Sequence, residues 1–216
     1  MFTEYCKSCS ILQTPWKDWI VVNVGSPISS VIPSLDGSVL GALAGTTAPL
    51  NLSTVHRLAG RGSVSGTRRV LLRLVEAGIV LEVPGGYLLN RDHVAAPAIE
   101  ALANLWGEVI DRMQRHVAEW GRRPRLVGIF GSAARRDGGE HSDIDLVVVS
   151  DVANASEHAA ELAANVQRWT GNPTHVITAG SKDLRRMHRA RERVLAEWER
   201  DLLVVVGTRD ALKAAS

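Results

Sequence analysis

Residues 126–149 constrain the fold of this chain more than any other stretch. An apolar run, Leu126-Val127-Gly128-Ile129-Phe130, passes directly into Gly131-Ser132, and a second run, Ile144-Asp145-Leu146-Val147-Val148-Val149, follows Ser142-Asp143. Short aliphatic runs bounded by Gly, Ser and Asp read as buried strands, here joined by a Gly-Ser turn and a short helix. Residues i and i+2 of a strand share a face, so Asp143 and Asp145 present two carboxylates side by side. Such a pair is costly unless neutralised, and hard divalent cations with oxygen ligands are its usual partner. A glycine at position 131 lets the backbone approach an anion closely. The helix start and the Ser132 hydroxyl offer donors to a phosphate. Arg135 and Arg136, in that helix, add charge suited to triphosphate or acceptor contact. The stretch therefore predicts a phosphate cradle facing a paired-carboxylate metal site.

The segment from Gly131-Ser132 to Asp143-Ile144-Asp145 resembles the minimal nucleotidyltransferase family of the DNA polymerase beta superfamily, whose signature is GS, a spacer and then DxD. The resemblance covers roughly residues 122–210. It implies a polymerase-beta-like fold, a mixed sheet flanked by helices. It also implies that Gly131 and Ser132 hold the phosphates of an NTP, and that Asp143 and Asp145 bind Mg²⁺ or Mn²⁺; Arg135 and Arg136 are counted as phosphate-binding candidates from their own position after the turn. The implied reaction is attack by an acceptor hydroxyl on the α-phosphate, with pyrophosphate leaving. Members that catalyse usually carry a third acidic residue on the following strand. The matching stretch here, Asn172-Pro173-Thr174-His175-Val176-Ile177-Thr178, has none, and His175 takes the candidate catalytic position as a proton acceptor. Three functions follow from this pattern. The first is an enzyme that transfers a nucleoside monophosphate to a protein, RNA or small-molecule hydroxyl. The second is a DNA-binding regulator whose nucleotidyltransferase domain only senses a nucleotide. The third is an antitoxin-like protein acting on a toxin partner.

Upstream, Asp36 caps a first helix carrying Val39, Leu40 and Leu43, and a second helix after Asn51 or Ser53 turns Val55 and Leu58 inward. Ser63 or Ser65 caps a third, with Val70, Leu71, Leu74 and Val75 on its apolar face and Gly78 as its stop. Ile79–Val83 and Tyr87–Leu89 flank Pro84-Gly85-Gly86 as a hairpin. Three short helices and a hairpin resemble a winged helix-turn-helix of the bacterial regulator type. That resemblance makes the third helix, from Ser65, the DNA-reading element. Ser65, Thr67, Arg68, Arg69 and Arg73 lie on its exposed side, suited to phosphate and base-edge contacts.

The chain is thus an α+β protein with four parts: an extended arm over 1–34, the winged helix-turn-helix over 35–92, a helical connector over 93–121, and the nucleotidyltransferase domain over 122–216. The connector reads as one apolar-faced helical stretch through Ile99, Leu102, Leu105, Trp106, Val109, Ile110 and Met113, suited to packing on both halves or in a homodimer. Residues beyond Ser181 read as helix to about Arg200, and six basic residues between Lys182 and Arg193 give it a basic face. The net charge of +2 excludes general affinity for nucleic acid, so any DNA contact must come from a local patch. Cys6 and Cys9 form one CxxC with no second pair to complete a zinc site, and read as plain thiols. The absence of a long apolar run excludes a membrane span, and the start lacks the order of a signal peptide, so the expected location is the cytoplasm.

Overall fold

The computed structural model describes residues 22–138 and 142–213. Cys6 and Cys9, most of the arm with Trp16 and Trp19, and Glu140 and His141 of the spacer lie outside the described residues.

Helices α1 (Leu35–Ala44), α2 (Leu52–Ala59) and α3 (Val64–Glu76) precede strands β1 (Val80–Val83) and β2 (Gly86–Leu89). Local chemistry sets their ends. Asn51 Oδ1 accepts from the Thr54 N–H at 2.9 Å, and Ser63 Oγ accepts from the Gly66 N–H at 3.1 Å, so α3 starts just before Ser65. Asp36 does not cap α1: Ser34 holds the cap position, and its hydroxyl donates to Asp36 Oδ2 at 3.0 Å from one residue before the first turn. Gly60 closes α2 in the left-handed conformation that favours glycine. β1 and β2 pair antiparallel around Pro84-Gly85, and Leu50 bonds through both backbone groups to Tyr87 (2.8 and 2.9 Å), adding a third extended segment to the hairpin. A side chain at Gly86 would overlap the Leu50 carbonyl, which explains glycine at this strand start. Val39, Leu43, Val55, Leu71, Leu74, Val80 and Leu89 bury into one core, joined by Ile28 from the 3-10 turn Pro27–Ser30. Leu58, expected inward, is 51% exposed: Val55 is the fully buried residue of this two-turn helix, and Leu52 and Ala59 supply its other core contacts.

The connector is two helices, α4 (Ala96–Ala103) and α5 (Leu105–Ala118), broken at Asn104. Each belongs to a different core. Ala96 and Ile99 of α4 pack with the N-terminal helices, whereas Trp106, Val109, Met113 and Val117 of α5 pack against the C-terminal sheet.

That sheet contains β3 (Leu126–Phe130), β4 (Ile144–Val149), β5 (Thr174–Ala179) and β6 (Leu203–Gly207) in the order β5-β4-β3-β6. β4 and β5 run parallel, and β3 is antiparallel to both β4 and β6, so the sheet is mixed. Alternation divides it into two layers. Val127, Ile129, Ile144, Leu146 and Val148 share a cluster with α5 and α7 (Ala155–Thr170). Leu126, Phe130, Val147 and Val149 share the opposite cluster with α8 (Ser181–Ala190) and α9 (Arg193–Asp201). The expected single helix over 181–200 is therefore broken, at Arg191, whose φ of +53° turns the chain so that α9 packs on β3 and on the short helix α6 (Gly131–Arg135). The result is an α+β architecture with a mixed sheet flanked by helices. Among the described residues, no helix is long and apolar enough to cross a membrane.

Candidate active site

β3 delivers the chain to the site through one residue. Phe130 ends the strand in extended conformation, and Gly131, at φ +71°, reverses it into α6. Phe130 pairs with Asp145 across the sheet, and Asp145 pairs in turn with His175 on β5. The turn and the two side chains therefore meet at one end of the sheet. A Cβ at position 131 would lie 3.0 Å from Asp145 Oδ2, so glycine is what lets the turn lie against that carboxylate. Asp143, two residues earlier on the same face, is half exposed, and His175 Nε2 stands 3.6 Å from its Oδ2.

Gly138 and Ser142, described residues of the spacer, lie together near the start of α6. A Cβ on Gly138 would overlap the Ser142 side chain and lie 3.3 Å from Ser132 Oγ, so Gly138 brings Ser132 and Ser142 close to one another. Partial burial pushes the Asp145 carboxyl up from its ordinary value; His175 pulls it down, and the carboxylates of Asp143 and Glu197 push it further up. Glu197, on α9, is thus an acidic neighbour of the site that sequence reasoning missed, since nothing in the local pattern of that helix distinguishes it from a surface glutamate.

These groups suit Mg²⁺. Both donors are oxygens, and no set of three or more His, Cys, Asp or Glu among the described residues encloses a site from the protein side alone. Mg²⁺ commonly takes one or two carboxylates and completes its shell with water and substrate phosphates, the arrangement that Asp143 and Asp145 permit.

The two arginines after the turn separate. Arg135 Nε donates to Asp137 Oδ2 and its Nη1 to Asp201 Oδ2, both at 2.8 Å, which commits the guanidinium to carboxylates and pins α6 to α9. Arg136, left-handed at φ +58°, lines a cavity of about 660 Å³ between the 25–28 segment, α1 and the end of α4, which none of Gly131, Ser132, Asp143 or Asp145 lines. The Arg200 and Arg135 guanidiniums hold the Asp201 carboxyl down to about 2. A carboxyl whose folded value is depressed stabilises the fold above its unfolded value near 4 and loses that contribution as pH falls toward 2. Asp201→Asn is accordingly expected to lower stability modestly on the plateau above about pH 4, to flatten the acid limb between about pH 4 and pH 2, and to converge with the unaltered chain toward pH 2. Melting temperatures over that range check this.

On α3, Ser65, Arg68 and Arg69 are exposed, as expected. Arg73 is exposed but ion-paired with Asp36 of α1. Thr67 corrects the expectation: it is fully buried, its hydroxyl donating to the Ser63 carbonyl at 3.1 Å and lying 3.2 Å from His56 Nδ1. The helix presents Thr67 to α2, away from any ligand on the exposed side.

Residues 115–197 match the family described as "Polymerase beta, Nucleotidyltransferase". The matched stretch begins within α5, ends within α9, and includes Gly131, Ser132, Asp143, Asp145 and His175. It supports the nucleotidyltransferase superfamily for this stretch. No curated protein matches the chain. A solved structure, "Crystal structure of the toxin-antitoxin with AMP-PNP", is similar at 17% identity over 49% of this chain and 76% of that one, with a TM-score of 0.36.

Proposed function

We propose that the C-terminal half, as a nucleotidyltransferase-superfamily domain, binds an NTP with Mg²⁺ or Mn²⁺ and transfers its nucleoside monophosphate to an acceptor hydroxyl. The observation that carries this is the left-handed Gly131 turn lying against the Asp145 carboxylate, with Asp143 on the same face. Asp143 and Asp145 would hold the metal ion, which supplies charge neutralisation at the reacting phosphate and its leaving group. The Gly131 backbone and Ser132 hydroxyl orient the phosphates. His175, 3.6 Å from Asp143, is the group placed to take the acceptor proton. The acceptor oxygen bonds to the α-phosphorus as the bond to the β-phosphate breaks, and pyrophosphate leaves. Such an in-line displacement depends on positioning and charge more than on covalent participation by the protein.

A second reading has its own support: β5 places His175, and no carboxylate, at the register position opposite Asp145. On that reading the domain binds a nucleotide without turnover and serves as a sensor. Incubation of the protein with each α-³²P-labelled NTP, Mg²⁺ or Mn²⁺, and cell lysate separates the two. A labelled protein or RNA band establishes transfer and reveals the acceptor class. Metal-dependent binding without label from any nucleotide establishes the sensor.

The separate cores meeting at Asn104 support a two-domain reading, with the N-terminal helices and hairpin as a winged helix-turn-helix that binds DNA. Ser65, Arg68 and Arg69 are its contact residues, with Arg73 beside them. Arg68→Ala combined with Arg69→Ala is expected to weaken binding to the protein's own promoter DNA and to reduce the magnitude of the salt slope by about 2, one unit for each arginine–phosphate pair removed. Affinity and slope both unchanged in a salt titration would assign this unit another task.

A further inference from the structure

The backbone on either side of Asp143 is held by one dipeptide. Asn172 Nδ2 donates to the Ser142 carbonyl at 3.0 Å, and the Ile144 N–H donates to the Pro173 carbonyl at 2.9 Å. Asn172 is fully buried, and its amide is nearly saturated: Nδ2 also donates to the Val22 carbonyl at 3.2 Å, and Oδ1 accepts from the Val22 N–H at 3.0 Å. Its own N–H donates to Thr170 Oγ1, whose hydroxyl donates to the Val166 carbonyl within α7. The residue is therefore fixed from behind by a helix end, and its side chain bonds forward to two chain segments far apart in sequence.

Those segments are the spacer before Asp143 and the stretch that leads into the N-terminal core. Val22 lies on a strap that runs into the Pro27–Ser30 turn, where Ile28 is buried among α1 and α4 residues. Midway, Gly25 lies against the carbonyls of Arg136 and Gly138 at the other end of the spacer, with its Cβ position 2.9 and 3.6 Å from them. The strap thus touches the spacer near its start, and through Asn172 it reaches the spacer's end.

We propose that Asn172 is a positioning residue: it sets the backbone from which Asp143 projects, and through Val22 it makes that aspartate's placement depend on the N-terminal strap. The proposal rests on the reading of Asp143 as a metal ligand, and it assigns to Asn172 the outer-shell role that orients a ligand without touching the metal. A buried asparagine kept only for fold stability would affect unfolding, and it would leave metal affinity and the exchange of this one loop alone.

The test uses the full chain with Mn²⁺ alone as the probe, read by electron paramagnetic resonance, together with amide hydrogen exchange of the 142–145 backbone. Asn172→Ala is expected to weaken Mn²⁺ binding about 10-fold and to speed exchange locally at 142–145 and at the strap. Val22→Pro, which removes the N–H donated to Asn172 and to the Thr170 carbonyl, should shift both readouts in the same direction. Val205→Ala, a core truncation on the far edge strand β6, serves as the stability-matched control and should move neither. Unchanged exchange at 142–145 in Asn172→Ala would overturn the proposal, as would Mn²⁺ affinity equal to that of the unaltered chain. If the unaltered chain itself binds no Mn²⁺, the metal-site reading fails, and the exchange result still decides whether Asn172 positions the loop.

Discussion

Asp143→Asn and Asp145→Asn are each expected to reduce label transfer from an α-³²P-labelled NTP by about 10²-fold or more while leaving the protein folded. The amide keeps the shape of the carboxylate and discards its charge, so the oxygen pair that suits Mg²⁺ is halved in charge at either position. Stability should move the other way, or not at all. Asp145 is partly buried, its carboxyl pushed up by that burial, and Asp143 and Glu197 add repulsion. Replacing it with a neutral group relieves a cost the fold now bears. Loss of transfer with an equal or higher melting temperature is the signature of a site maintained for chemistry, and loss of transfer through unfolding would remove that interpretation.

Trp198→Ala is expected to destabilise the C-terminal half by about 3–5 kcal/mol, a large part of the stability of an ordinary domain. Trp198 is fully buried, and its ring meets Phe130 edge-on with centroids 5.9 Å apart. Phe130 is the residue before the Gly131 turn, so the cavity left by the indole opens directly beneath the proposed phosphate cradle. Trp198→Phe keeps an aromatic ring against Phe130 and discards an indole N–H that has no hydrogen-bond partner among the described residues, and it should cost less. Urea unfolding followed by circular dichroism measures both. Equal, small losses for the two variants would show that α9 does not anchor this end of the sheet.

The elements that frame the candidate site were legible in the sequence because they are bounded by residues with strong local preferences. β3 and β4 fall at Leu126–Phe130 and Ile144–Val149, the limits that Gly131 and Asp143 impose on two apolar runs. The period of a strand alone puts Asp143 and Asp145 on one face. The misjudged features depend on longer-range contacts or on conformations that residue type does not announce. The break at Asn104 interrupts an apolar period that continues through Leu102, Leu105 and Trp106, so periodicity reads straight across it. The break at Arg191 uses an arginine in the left-handed region, which a sequence gives no reason to expect. Thr67 looked like a surface residue because it is polar, yet a threonine hydroxyl can bond the carbonyl four residues back and then bury. Arg135 and Arg136 are adjacent in sequence and end on different partners, since successive helical residues do not share a face and Arg136 leaves α6 in the left-handed conformation. Asn172 was invisible for a further reason. Before Pro173 it reads as an ordinary turn residue, and its partner Val22 lies 150 positions away.

The most direct measurement of the central claim is calorimetric titration of each NTP into the full chain, with Mg²⁺ and again with chelator, in parallel with Asp143→Asn. A metal-nucleotide site at this end of the sheet predicts saturable binding of at least one NTP that requires Mg²⁺ and is lost in the variant. Absence of binding for every NTP in the presence of Mg²⁺, or binding that survives both the chelator and Asp143→Asn, would contradict the assignment of Gly131, Ser132, Asp143 and Asp145 to such a site.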